Sequence, residues 1–271
     1  MGTFAVTGSA SGMGAASAAE LRAAGHTVLG VDLRDADVVA DLGTESGRRH
    51  AVEEVLSLAG GVLDGVAAVA GVGPDLPDAA AVVSINHFGP VALLDGLRPA
   101  LERSGAGRAV VIGSNSATTV PAVDEELVRL ALAGDEAGAR ERAATTRATS
   151  SGAAPSIAAY ASSKFALARW VRRTAVTPEW ARRGVVLNAI APGAVLTPLM
   201  LGSTGDAAAQ DPDEFATPLP VGRFGRPEDI AFWVHQFLRP EAGFTTGAVL
   251  VVDGGTDAVM RPEAQPTVLV P

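Results

Sequence analysis

A glycine-rich turn set between an apolar run and a helical pattern constrains this chain more than any other feature of its sequence. Residues 3–7 are apolar and close on Thr7-Gly8-Ser9-Ala10-Ser11-Gly12-Met13-Gly14, after which Ala15 to Ala24 follow a helical pattern. Strand, glycine turn and helix in that order predict the opening unit of an open parallel α/β sheet. In such a unit Gly8 makes the tight turn, while Gly12 and Gly14 let backbone approach a pyrophosphate at the positive helix end. Ser9, Ser11 and Met13 share the turn. Three glycines in register prove little in a chain that holds 31 of them; the flanking strand and helix give them their meaning.

The rest of the chain repeats the alternation. Thr27 to Asp32 reads as a second strand. An acid at its end suits the two hydroxyls of an adenosine ribose and repels a 2′-phosphate, so Asp32 favours NAD over NADP. Arg34, two residues on, could bind a phosphate instead. Val38 to Asp41 reads as a third strand with Asp41-Leu42 at its carboxyl end, 44–59 as a helix, and Gly65 to Ala70 as a fourth strand ending in Ala70-Gly71. A long helix is expected from Ala79 to Arg103, carrying Ser84-Ile85-Asn86. Ala109 to Ile112 makes a fifth strand running into Gly113-Ser114-Asn115-Ser116, and Val185 to Ile190 a sixth, before Pro192-Gly193-Ala194-Val195-Leu196-Thr197. Pro227 to Leu238 reads as a helix and Ala248 to Val252 as the seventh strand.

The expectation is therefore a single α/β domain over residues 1–271, a doubly wound parallel sheet of about seven strands flanked by helices. Residues 117–155 read as a helical insertion with pieces near 123–133 and 135–147, and 199–220 as a mobile lid. The lid offers Leu199, Met200, Leu201 and Phe215 as apolar substrate contacts, and 256–271 reads as a loosely held tail.

Tyr160 is the only tyrosine and Lys164 the only lysine, against twenty arginines. Pro155 and Ser156 mark a helix start, and on that helix the four-residue spacing puts both side chains on one face. A phenol titrates near 10, too high for an efficient base at neutrality; a nearby ammonium lowers that value, and a compact Lys does so better than a spread guanidinium. A half-buried Tyr beside a surface Lys is the bland alternative; the composition favours an acid/base pair. Asn86 could simply satisfy buried backbone, but as one of only three asparagines it is read as functional. Ser114 and Ser116 both follow the fifth strand, Ser114 directly. Thr197 either holds a ligand or caps the next helix.

Composition removes other chemistries. Without cysteine there are no disulfides and no thiolate chemistry, and His26, His50, His87 and His235 lack metal-ligand spacing. A net charge of −9 argues against a nucleic-acid surface. Residues 184–205 carry no charge, but Asn188, Pro192, Gly193 and Pro198 break the run into strand and loop. No charged leader precedes Thr3, so a soluble, cytoplasmic protein without a membrane partner is expected.

From Thr7 to Gly255 these motifs, in this order, resemble the short-chain dehydrogenase/reductases: T-G-S-A-S-G-M-G, Asp32, Asp41-Leu42, Ala70-Gly71, Asn86, Ser114, Y-A-S-S-K, N-A-I-A-P-G-A-V-L-T-P and V-D-G-G. Within the family the chain looks most like the bacterial 3α-hydroxysteroid dehydrogenase/carbonyl reductases. The resemblance implies a Rossmann-type fold and NAD-linked interconversion of a secondary alcohol and a ketone, with a cyclic apolar substrate such as a 3α-hydroxysteroid. It assigns Tyr160 as general acid/base, Ser114 as the substrate-oxygen ligand and Lys164 as the group that lowers the tyrosine's pKa and holds the nicotinamide ribose. Asn86 would support a water reaching Lys164, and Thr197 with the Val195 backbone would hold the carboxamide. Terpene or xenobiotic alcohols, and an idle NAD-binding protein, are the alternatives; a methyltransferase would leave Tyr160 and Lys164 unexplained. Two departures stand out. The usual Asn-Asn-Ala-Gly is Ala68-Val69-Ala70-Gly71 here, and the insertion precedes the helix that commonly builds the family's tetramer, so a homodimer is expected over a homotetramer.

Overall fold

The computed structural model describes residues 1–146, 154–204 and 211–265. Its strands are β1 (Thr3–Thr7), β2 (Thr27–Asp32), β3 (Val38–Val39), β4 (Gly65–Ala68), β5 (Arg108–Ile112), β6 (Val186–Pro192) and β7 (Val249–Val252). They form one sheet in the order β3-β2-β1-β4-β5-β6-β7, every pair parallel. The chain winds outward in one direction from β1 to β3 and then, from β4, in the other. The carboxyl ends at the β1/β4 reversal are where an open sheet of this kind leaves a crevice.

Strand alternation sorts the core into two layers. Phe4, Val6, Val110 and Ile112 point to the face covered by α1 (Gly12–Ala23) and α10 (Pro227–Leu238), where Leu21, Ile230 and Val234 are buried against them. Ala5, Ala109 and Val111 point the other way, under α2 (Glu45–Leu58), α4 (Gly89–Arg103) and α8 (Pro155–Thr174), which contribute Val55, Leu93, Leu97, Leu101 and Leu167. β4 and β5 are buried throughout, as expected for strands covered on both faces.

The expected long helix from Ala79 is continuous but not uniform. α3 (Ala79–Val83) passes into α4 through a π-helical turn, Ser84–Phe88. The segment is apolar enough to cross a membrane by composition, yet 61% of its most apolar window is buried inside the protein, so it is a core helix. β3 is shorter than expected: after Ala40 donates to Asp32 O, Asp41 turns the chain, its carboxylate accepting from Gly43 N at 2.9 Å.

The insertion holds α5 (Ser116–Thr119), α6 (Glu125–Leu132) and α7 (Glu136–Thr145); residues 147–153 lie outside the described residues. Leu127, Val128, Ala131, Ala139 and Ala143 bury against Val82, Val83 and Phe88 and against Ala159 and Ala166 of α8. A bidentate pair between buried Arg48 and half-buried Glu136 clamps α7 to α2. Of the expected lid, α9 (Pro198–Thr204) is formed and 205–210 lie outside the described residues. The tail departs from expectation over its first part: Thr256–Met260 is a helix (α11) whose buried Thr256 donates to Pro218 O at 2.7 Å and whose Asp257 accepts from Thr118 Oγ1 at 2.9 Å. The remainder, 266–271, is not among the described residues.

Candidate active site

The glycine turn is built by contact as well as by conformation. Gly8 and Gly12 have φ of +70° and +51°, values that favour glycine. A Cβ on Gly8 would lie 3.0 Å from Ala70 Cα, and one on Gly12 would lie 3.3 Å from Thr197 Cγ2. The turn therefore packs directly on the loops that follow β4 and β6. Thr7 Oγ1 accepts from Val69 N and Ala70 N at 3.0 and 2.9 Å, so these amides are satisfied although the family's paired asparagines are absent. A Cβ on Gly14 would be driven into the Gly8 carbonyl. Gly14→Ala is thus expected to lose about 2 kcal/mol from overpacking, read as a lower thermal midpoint; an unchanged midpoint would mean the turn yields freely.

Asp32 ends β2 beside this turn. Its two carboxylate oxygens accept from Ala10 N at 2.9 Å and Leu33 N at 2.7 Å, which pins the acid between turn and strand. Arg34, by contrast, is largely exposed and faces Asp35 at 4.0 Å. Asp41 is exposed and Leu42 buried at the neighbouring strand end. Ser11 is the N-cap of α1 but makes no side-chain cap bond, and the first turn holds no acid. The amides there remain available to an anion.

Around β5 three side chains converge. Lys164 is 4% exposed, and its ammonium donates to Ile112 O at 2.9 Å. It lies 6.0 Å from the centre of the Tyr160 ring. The Tyr160 hydroxyl lies beside Ser114, whose side chain favours its phenolate. Ser116 does not compete with Ser114 but supports it, donating to Ser114 Oγ from its hydroxyl at 2.8 Å and its amide at 3.2 Å.

Electrostatics corrects one expectation. Burial pushes the Tyr160 phenol up, the Ser114 side chain offsets this only in part, and the Asp75 carboxylate adds to the rise. The net shift is upward even with the ammonium 6.0 Å from the ring centre, where it is turned onto the Ile112 carbonyl in the resting site. Burial also lowers Lys164 to about 8. At neutral pH the phenol holds its proton.

Asn86 sits in the π-helical turn, fully buried, and bonds the loop after β4 in both directions: Oδ1 accepts from Val72 N and Nδ2 donates to Val72 O, both at 2.9 Å. The extra residue of a π turn re-aims one side chain without ending the helix. The backbone-satisfying role is thus the one seen. A Cβ on Gly71 would lie 2.9 Å from Asn86 Oδ1 and 3.4 Å from Lys164 Nζ, so a side chain there would displace the Asn86 carboxamide. Thr197 caps α9, accepting from Met200 N at 3.2 Å. Pro192, Gly193 and Val195 lead from β6 to it, Val195 bridging Gly225. Leu199, with Met200 and Leu201 behind it on α9, reaches the loop at Gly73. Sequence reasoning passed over Asp75 of that loop; its signal was an acid just after Val69-Ala70-Gly71-Val72-Gly73-Pro74 at a strand's carboxyl end.

Comparison with known proteins gives consistent relatives. A family model described as enoyl-(acyl carrier protein) reductase matches residues 141–257. The 3-alpha-hydroxysteroid dehydrogenase/carbonyl reductase of Comamonas testosteroni is 41% identical over 97% of this chain and 99% of its own length. The short-chain reductase protein NovJ of Streptomyces niveus is 32% identical over 92% of each chain. Among solved structures, the 3-alpha-hydroxysteroid dehydrogenase from Pseudomonas sp. B-0831, complexed with NADH, is 44% identical with a TM-score of 0.85, covering 97% of this chain and 99% of that one.

Proposed function

The chain belongs to the short-chain dehydrogenase/reductase family, and from that premise we propose that it is an NAD-dependent oxidoreductase interconverting a secondary alcohol and its ketone. The substrate in this reading is cyclic and largely apolar, of the 3α-hydroxysteroid type carried in the names of its relatives. One observation supports it above others: the only tyrosine, the only lysine and Ser114 meet at the carboxyl end of β5, next to the glycine turn.

The residues present fit a dinucleotide. Gly8, Gly12 and Gly14 keep the turn shallow, the uncapped start of α1 offers amides to the pyrophosphate, Asp32 offers its carboxylate to the adenosine ribose, and Asp41-Leu42 and Ala70-Gly71 border the adenine side. Pro192, Gly193, Val195 and Thr197 would hold the nicotinamide end, and Tyr160 and Lys164 its ribose. NAD supplies the hydride acceptor, and NADH the donor.

The chain's own residues supply positioning and the proton. Ser114, oriented by Ser116, donates to the substrate oxygen, and the Tyr160 hydroxyl stands beside it. In ketone reduction the phenol, still protonated at neutral pH, gives its proton to the developing alkoxide. In alcohol oxidation it must first lose that proton, so oxidation rises with pH and reduction holds at neutrality. Lys164 supports the phenolate as it forms. Because α6 and α7 of the same chain cover α8, subunits in this reading pair through another face, as a homodimer.

Absorbance of the reduced nicotinamide, followed with NAD and then NADP over secondary alcohols that include 3α-hydroxysteroids, tests the reading. Oxidation of a 3α-hydroxysteroid with NAD supports it in full; turnover of smaller cyclic alcohols alone removes the steroid; binding of NAD without turnover of any alcohol returns the idle-binder alternative. Asp32→Asn should raise the NADP-to-NAD ratio of kcat/KM by about tenfold, since it removes a charge a few ångströms from the 2′ position. A ratio unchanged within twofold would place cofactor choice elsewhere.

A further inference from the structure

We propose that Asp75 is a charge filter at the mouth of the site, selecting uncharged substrates over those with a negative charge close to the reacting carbonyl. The inference rests on the oxidoreductase reading above and names the substrate class that reading leaves open.

The loop after β4 is held rigidly at Val72 by Asn86 and closes at Leu76, whose amide donates to Gly73 O at 3.4 Å. Val72, Leu76 and Tyr160 pack against the same apolar cluster. At the tip of the loop, a Cβ on Gly73 would stand 3.2 Å from Asp75 Oδ2 and 3.4 Å from Leu199 Cδ1. The acid of this loop and the leucine that opens α9 therefore flank one point, and Tyr160 lies within reach of the acid's field. Asp78, the next acid, is committed to capping α3 through Ala81 N at 3.0 Å. Asp75 is not: among the described residues no cation stands within ion-pair distance of it, and Lys164, the other charge near the phenol, is turned onto Ile112 O.

Asp75 is exposed at the tip of the loop, so its unpaired carboxylate meets an incoming anion at the mouth, beside Leu76 and Leu199, and repels it through a field that salt weakens. Steroid-like and simple cyclic ketones pass without charge near the carbonyl. Oxo acids whose carboxylate sits two or three carbons from it are disfavoured, whereas a carboxylate more than a Debye length away is not.

The test compares Asp75→Asn with the parent protein on a cyclic ketone bearing a carboxamide near the carbonyl and on its carboxylate twin. Both are followed by turnover and by calorimetric binding to the NADH-loaded protein. The variant should improve on the carboxylate by about three- to tenfold at low salt, with the gain shrinking as salt rises and the carboxamide changing less than twofold. A carboxylate-to-carboxamide ratio unchanged within 1.5-fold, ~0.2 kcal/mol, overturns the proposal. The single tyrosine gives a second readout that needs neither substrate nor cofactor. Its phenolate absorbance should titrate at lower pH in the variant, and an unshifted titration also overturns the proposal. If the parent protein turns over neither ketone, the oxidoreductase reading fails, while binding and phenolate titration still decide the role of Asp75.

Discussion

Tyr160→Phe is expected to bind NAD as tightly as the parent protein and to lose turnover of every alcohol and ketone by about 10³- to 10⁴-fold, the upper range for a single acid/base group. That factor corresponds to about 4–5 kcal/mol of transition-state stabilisation. The substitution removes one oxygen and nothing else of the ring. Ser114 keeps Ser116 as a partner through two hydrogen bonds, so neither serine is left orphaned, and the thermal midpoint should move little. The measurement is kcat/KM beside NAD affinity on the same preparation. Because the chain has one tyrosine, the variant must also lose the whole phenolate signal on alkaline titration, which assigns that signal without ambiguity. Turnover within tenfold of the parent would sink the proton-transfer role of Tyr160 and leave Ser114 and positioning as the source of rate.

The elements that sequence reasoning located best are those with punctuation. Pro227 opens α10 and Leu238 closes it at the expected residues, because a proline at the first helical position and an apolar stripe bound the segment from both sides. The strands lie within two residues of their expected bounds, because each is an apolar run ending in a turn, but β3 and β4 each stop two residues early and β6 runs two residues further. What lay hidden depends on side-chain partners distant in the chain. The π turn at Ser84–Phe88 has no pattern of its own, for one extra residue within 25 hardly disturbs an apolar helix. Only the two hydrogen bonds between the Asn86 carboxamide and the Val72 backbone show what the turn positions. The short helix at Thr256–Met260 owes its place to Pro218 and Thr118, far away in sequence. In the site, residue types and spacing pointed to Tyr160, Lys164 and Ser114, whereas the direction of the phenol's pKa turned on burial and on Asp75, which no motif encodes.

Lys164→Met should separate stability from chemistry. The parent protein keeps an ammonium 4% exposed with Ile112 O as its hydrogen-bond partner, and burial lowers its pKa from 10.5 to about 8. Below pH 8 the folded state therefore carries a charge it would shed more readily than the unfolded chain does, at a cost of about 3 kcal/mol. Methionine fills similar space without that cost but leaves the Ile112 carbonyl without its donor, which costs about 1–3 kcal/mol. The net expectation at neutral pH is a variant about 1 kcal/mol more stable, a rise of a few degrees in midpoint for a chain of this size. The sign of the pH dependence follows from linkage. Between pH 8 and 10.5 the unfolded chain binds the proton that the folded one has lost, so the parent gains stability with rising pH and the variant, lacking the group, does not. The two melting curves should converge and then cross in that window. Catalytically the change is severe: nothing remains to support the phenolate, and alcohol oxidation should fall by about 10²-fold or more. A variant that is less stable than the parent at neutral pH would show that Lys164 stabilises the fold through Ile112 more than its burial costs. A variant that keeps its oxidation rate would remove Lys164 from the chemistry altogether.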